Sequence, residues 1–196
     1  MPRAHFPKLT IIIILLVMVS AVSNLSAQNI VRSRFGRWHR GVFGFRGGII
    51  NATNIKIDGQ KFDANVALTA GVLFDFPLTH KSTFGFTADL IDVQVASERQ
   101  KALDVGMAFK YAVYKKEKMM SLKPGFGIGY SYLAHWRLLN ASGYLTLKLF
   151  LETLFYSSHR YAWLFDFDIF WAPVGGNNEH DVTYGPAVMI RFGLVL

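Results

Sequence analysis

His135 and Ser142 fall in one segment, Ala134-His-Trp-Arg-Leu-Leu-Asn-Ala-Ser142. A serine hydroxyl with an imidazole base is the pair that acyl transfer requires, so these two are the candidates for moving an acyl group. A solvated loop explains the same residues more simply, and only geometry separates the two readings. Glu179, His180 and Asp181 are metal-ligating types. Consecutive residues in a strand or loop point different ways, however, and no fourth ligand is spaced for them. Close carboxylates are a third possibility: Asp89 with Asp104, or Asp166 with Asp168, would form a cation or proton site if the fold brought them together, because neighbouring carboxylates resist joint ionisation. The chain has no cysteine, which excludes a thiolate zinc site, a cysteine nucleophile and a disulfide scaffold. No residue set calls for a cofactor.

The elements that must position these groups begin after an address. Arg3 and Lys8 precede an apolar run from Leu9 to Val22, broken only by Thr10 and Ser20, and Leu25-Ser26-Ala27 ends in a small residue. That is the layout of a secretory signal peptide over residues 1–27, and the run is shorter than the roughly 20 residues a spanning helix needs. Export makes nucleic acid an improbable partner. Residues 28–37 form a basic segment, and Arg32, Arg34, Arg37 and Arg40 suit anionic headgroups, lipopolysaccharide or an acidic periplasmic partner, or simply a solvated tail. The chain of 196 residues is 52% hydrophobic, too apolar for disorder and of single-domain length, so residues 38–196 are expected to fold as one body.

No stretch beyond Gln28 is long and apolar enough for a spanning helix; the hydrophobic residues alternate instead. Val66, Leu68, Ala70, Val72, Phe74 and Phe76 are one such series, and Trp163, Phe165, Phe167, Ile169 and Trp171 another. Alternation predicts eight antiparallel strands at 38–50, 61–76, 83–93, 101–114, 119–133, 142–156, 161–173 and 181–196. Each supplies the roughly 9 to 11 residues a tilted strand needs to cross a bilayer. Longer polar connections are expected at 51–60, 94–100, 134–141 and 174–180, and tight ones at 77–82, 115–118 and 157–160, with the tight side and both termini in the periplasm.

The two faces of these strands differ in size as well as polarity. Pro124, Phe126, Ile128, Tyr130 and Tyr132 oppose Lys123, Gly125, Gly127, Gly129 and Ser131. Small residues suit the interior of a narrow eight-stranded barrel, so the bulky apolar face is expected to point at lipid and the chain to be an all-β, up-and-down transmembrane barrel. Closure is what leaves no strand edge unpaired in lipid. The repeated dyads, the run Lys123-Pro-Gly-Phe-Gly-Ile-Gly-Tyr130 and the closing Met189-Ile-Arg-Phe-Gly-Leu-Val-Leu196 resemble the small eight-stranded outer-membrane barrels of Gram-negative bacteria, the OmpA/OmpX-like group in the broad sense. The alternating last strand is similar to the insertion signal read by the barrel assembly machinery, with Leu196 where phenylalanine is commonest. The resemblance implies an outer-membrane location, a monomer, and outer-membrane lipids and lipopolysaccharide as surroundings. It carries no catalytic signature, and the His-x-Ser-Asn run of the lipid A deacylases is absent.

Strand parity directs a set of charges inward: Arg46, Asp63, Asp75, Asp89, Asp104, Lys110, Lys123, Lys148, Glu152, Asp166, Asp168 and Arg191. Symmetric hairpins would set Lys148 beside Asp168, Glu152 beside Asp166 and Asp89 opposite Asp104. Charges shielded from water must be paired, so a salt-bridge network sealing the lumen is the leading expectation. This makes a structural or interaction role, without enzymatic activity, the first functional reading. A lipid-modifying enzyme using His135 and Ser142 and a narrow ion-conducting pore are the alternatives.

Overall fold

The computed structural model describes residues 41–51, 54–95, 98–116, 119–133, 141–157 and 161–196. Its strands are β1 Val42–Asn51, β2 Asn54–Ile57, β3 Gln60–Asp63, β4 Val66–Pro77, β5 Ser82–Val95, β6 Glu98–Tyr111, β7 Tyr114–Lys116, β8 Met120–Leu133, β9 Ser142–Tyr156, β10 Ala162–Gly176 and β11 Val182–Val195. Eight of them, β1, β4, β5, β6, β8, β9, β10 and β11, pair in that order, and β1 closes on β11 to complete an antiparallel ring. At the seam Gly44 pairs with Val195 and Asn51 with Val188.

The bulky apolar series are the ones exposed. Leu68, Leu149 and Phe192 are each more than 60% accessible, and Phe45, Leu90, Met107, Phe126 and Trp163 are exposed with them. The opposite parity is buried. Along β10 the inward residues read Leu164, Asp166, Asp168, Phe170 and Ala172; along β11 they read Val195, Gly193, Arg191, Met189 and Ala187. Charge thus lies between two apolar clusters. One gathers Leu73, Leu154, Ala162, Leu164 and Val195. The other includes Ile50, Ile91, Leu133, Phe170 and Met189 at the opposite end.

Four expectations about the strands are corrected. The strand expected at 61–76 is two: β3 ends at Asp63 and pairs with β2, and β4 begins at Val66 and pairs with β1. The connection expected at 51–60 contains β2, which forms a hairpin with β3 and pairs with β11 through Ile57 and Val182. Asp58 and Gly59 turn that hairpin with φ of 49° and 81°, the backbone for which Asp-Gly is preferred in a two-residue turn. The strand expected at 101–114 starts earlier and stops at Tyr111, with Tyr114 in the separate β7 against β8. Most of the long connection expected at 94–100 is strand, since β5 runs to Val95 and β6 starts at Glu98, which pair with each other. Long strands that keep hydrogen-bonding explain this shortening: each added pair satisfies backbone groups that a loop would leave open.

Glycines at the seam set how closely the strands approach. A Cβ at Gly48 would lie 2.0 Å from the Ile190 carbonyl oxygen, and one at Gly193 2.1 Å from that of Phe45. Gly47, by contrast, has nothing nearer than 3.6 Å. Gly48→Ala is expected to destabilise the closed barrel by about 1 to 3 kcal/mol, the usual cost of overpacking, while Gly47→Ala leaves it near wild type. Urea titration of the folded band on unheated gels measures both; equal midpoints for the two variants would contradict the seam geometry.

Candidate functional site

Each inward charge needs room across the strand pair, and the register provides it. Arg46 is paired with Gly71 on one side and Gly193 on the other, Arg191 with Gly48, Lys110 with Gly125 and Lys148 with Gly127. A Cβ at Gly71 would come within 2.1 Å of Asp89 Oδ1. The lumen therefore holds long charged side chains because the residues beside them have none.

Asp89 on β5, fully buried, is the hub. Arg46 donates to it twice, Nε to Oδ1 at 3.0 Å and Nη2 to Oδ2 at 2.7 Å, and Arg191 Nη1 approaches Oδ2 at 2.9 Å. Arg46 Nη1 also donates to Asp166 Oδ2 at 2.7 Å, which accepts from Arg191 Nη2 at 2.8 Å. Arg191 Nη2 further contacts Asp168. Lys148 reaches Asp89 at 3.3 Å and bonds to Asp104, whose Oδ1 accepts hydrogen bonds from Ser131 and Thr146, both at 2.8 Å. Nearer the terminal end, Lys110 donates to Asp75 at 2.8 Å and to Glu152, and Lys123 lies 3.3 Å from Glu152. Lys110 and Lys148 sit 5.8 Å from the centres of the Phe150 and Phe170 rings, within cation–π range.

Eleven of the twelve charges expected inside are thus brought together, and Asp63 is not. It is exposed on β3, which pairs with β2 and not with a strand of the ring. The registers expected for Asp89 with Asp104 and for Glu152 with Asp166 are present. Lys148 beside Asp168 is not: the register that pairs Glu152 with Asp166 places Lys148 opposite Phe170 and Asp168 opposite Phe150. Lys148 instead extends over Gly127 to β6, where it separates the two carboxylates facing each other at Asp89 and Asp104. Ser131 and Thr146 were not singled out from sequence, although their parity in β8 and β9 points them inward.

The remaining candidates fall elsewhere. His135 lies outside the described residues. Ser142 is buried at the start of β9 and donates to the Tyr144 hydroxyl at 3.1 Å. His180 and Asp181 serve the β2–β3 hairpin: His180 Nδ1 lies 2.6 Å from Asp58 Oδ2, the Asp181 N–H donates to Asp58 Oδ1 at 2.9 Å, and the Asp58 N–H donates back to the Asp181 carbonyl. The His180 contact, and then the Asp181 amide, hold the Asp58 carboxyl below the usual carboxylate range.

Two outcomes follow. Removing the hub strands Arg46, Lys148 and Arg191, so Asp89→Ala is expected to cost roughly 3 to 5 kcal/mol of unfolding free energy, against less than about 0.5 for Asp63→Ala at the surface. Denaturant unfolding in lipid vesicles compares them. For the hairpin, a depressed carboxyl contributes above its ordinary range, and that contribution disappears as pH falls through the lowered folded value. Exchange protection of the Asp181 amide should therefore fall on acidification in wild type and stay level in Asp58→Asn, whose amide oxygen still accepts; a level profile in both proteins would remove the carboxylate from the docking.

No family model and no curated protein match the chain. Solved structures do. Neisserial surface protein A aligns with a TM-score of 0.52 at 8% identity, over 79% of this chain and 96% of that one. OprG from Pseudomonas aeruginosa aligns at 0.46 and 17% identity, over 80% and 96%. Ail of Yersinia pestis aligns at 0.45 and 11%, over 80% and 99%. The chain has the fold of the small eight-stranded outer-membrane barrels.

Proposed function

We propose that the protein is an integral outer-membrane barrel with a structural or interaction role, its lumen sealed by the charged network and its contacts with other molecules made by the outer connections. The observation that carries this reading is the inversion of polarity: exposed Phe45, Leu68, Leu90, Phe126, Leu149 and Phe192 surround buried Arg46, Asp89, Asp166 and Arg191. A water-soluble monomer rarely exposes a continuous apolar surface of that extent, whereas lipid covers it at no cost to the strands' hydrogen bonds. The surroundings that fit are outer-membrane lipids and lipopolysaccharide, reached after export behind a cleaved signal and insertion by the barrel assembly machinery. The protein functions as a monomer without a cofactor. The seal rests on the ion pairs spanning the lumen and the apolar clusters on either side of them.

Planar-bilayer recording of the purified, detergent-extracted protein tests the reading. Wild type is expected to give no steady conductance. An ion-selective current abolished by a lumen substitution such as Asp89→Asn would replace the sealed barrel with a pore. A mature chain that remains monomeric in water without detergent would remove the membrane assignment.

A further inference from the structure

The buried network does not balance. Its carboxylates are Asp75, Asp89, Asp104, Glu152, Asp166 and Asp168, and its cations are Arg46, Lys110, Lys123, Lys148 and Arg191. Partners can be assigned one to one: Lys110 to Asp75, Lys123 to Glu152, Lys148 to Asp104 and Arg46 to Asp89. Asp166 and Asp168 are left with Arg191 between them, whose Nη2 contacts both.

These two carboxyls stand two residues apart on the inward face of β10 and are 1% and 0% exposed. Oδ2 of each takes the arginine contacts; Oδ1 of each is buried without a donor. Both carboxyls contact the same Arg191 nitrogen, Nη2, which sets them side by side. Ionised carboxylates only accept, so neither Oδ1 has a donor unless one carboxyl carries a proton to offer its neighbour. We propose that Asp166 and Asp168 form a proton-binding site, sharing one proton that makes the sealed lumen electroneutral. The inference rests on the sealed barrel proposed above, because open water would screen the excess charge.

A metal cation is the competing occupant and fits poorly. The cavity beside the pair measures about 10 Å³, room for no more than about one water, and Arg46, Lys110, Lys148 and Arg191 line it. Glu152 and the pair itself line it too, but their oxygens already face these four cationic groups, which leaves a metal ion neither space nor a free set of ligands, whereas a proton needs only one oxygen. The charged groups that face the pair are Arg46 from β1, Asp89 from β5, Lys110 from β6, Glu152 and Lys148 from β9 and Arg191 from β11.

Infrared spectroscopy of the full barrel in lipid, with isotope-labelled aspartate, reads the proton directly. Wild type at neutral pH should show one carboxylic-acid carbonyl band that shifts with the label. Asp168→Asn should lose it, since the new amide can donate to Asp166 in the proton's place, and Asp63→Asn should keep it. Asp168→Asn should retain heat-modifiable migration. Because the folded chain holds a proton that the unfolded chain releases, the wild-type unfolding midpoint should also decline more steeply with rising pH than that of Asp168→Asn. No labelled acid band in wild type, a band that survives in folded Asp168→Asn, or one equivalent of a monovalent metal copurifying with the protein would each overturn the site. Should Asp168→Asn fail to fold, the labelled wild-type spectrum decides alone. A conducting wild type would instead defeat the sealed barrel, and the bilayer recording reports that separately.

Discussion

Arg46 and Arg191 project from adjacent strands into a lumen whose walls are already closed, and nearly everything else about the barrel accommodates them. Each arginine faces glycine across the seam, Arg46 opposite Gly193 and Arg191 opposite Gly48, so the two guanidinium groups are admitted alternately. Once inside, neither can keep its charge without carboxylates at bonding distance, because an unpaired buried ion is far costlier than any gap in packing. Asp89 meets both. Arg46 and Arg191 thereby tie β1 and β11 to β5, past the intervening β4, and Asp166 ties the same pair to β10. The network is a set of cross-lumen braces.

Such a core is feasible only where the hydrophobic contribution lies outside. In a water-soluble barrel bulky apolar side chains fill the interior; here they cover the exterior, and the interior is left to groups whose bonds are directional. Directional bonds discriminate among registers more sharply than apolar contacts do. A slip of one residue would turn Arg46, Asp89 and Asp166 outward and drive Phe45, Leu90 and Phe167 into the lumen. A slip of two would keep the faces but separate each arginine from its glycine. The pairing of glycine with charge therefore fixes register in a fold whose strands are otherwise alike.

What the sequence made legible follows from the same physics. A period of two is strict, so the inward set could be read off parity alone, and it failed only at Asp63, which keeps the parity but lies on β3, paired with β2 rather than within the ring. Partners were less legible. Glu152 with Asp166 is a neighbour-strand pair and could be foreseen, whereas Lys148 with Asp104 spans β8 and depends on Gly127 leaving a gap to reach across. Nothing in a linear pattern marks which strand a long side chain will bypass. The β2–β3 hairpin was missed for another reason: Asp58-Gly59 is a strong two-residue turn signal, but β2 is only four residues long within the segment 51–60 that polarity marks as loop, and β3 was merged with β4 into one strand.

The hairpin also shows how the far end is finished. β11 extends beyond its pairing with β1 at Asn51, and from Val182 to Tyr184 it would present an open edge. β2 covers that edge, placing Ile55 and Ile57 against Val182 and Tyr184 in the apolar cluster. The edge backbone is satisfied and the charged layer is separated from water by apolar side chains in one step. Asp58, gripping Asp181 and His180, fixes the tip of the hairpin beside the last connection rather than leaving it free. Protection of that edge and insulation of the charges are then two consequences of continuing one strand past the barrel's rim: without the hairpin, β11 would end on unpaired amides, and the network beneath it would lie one apolar layer closer to solvent.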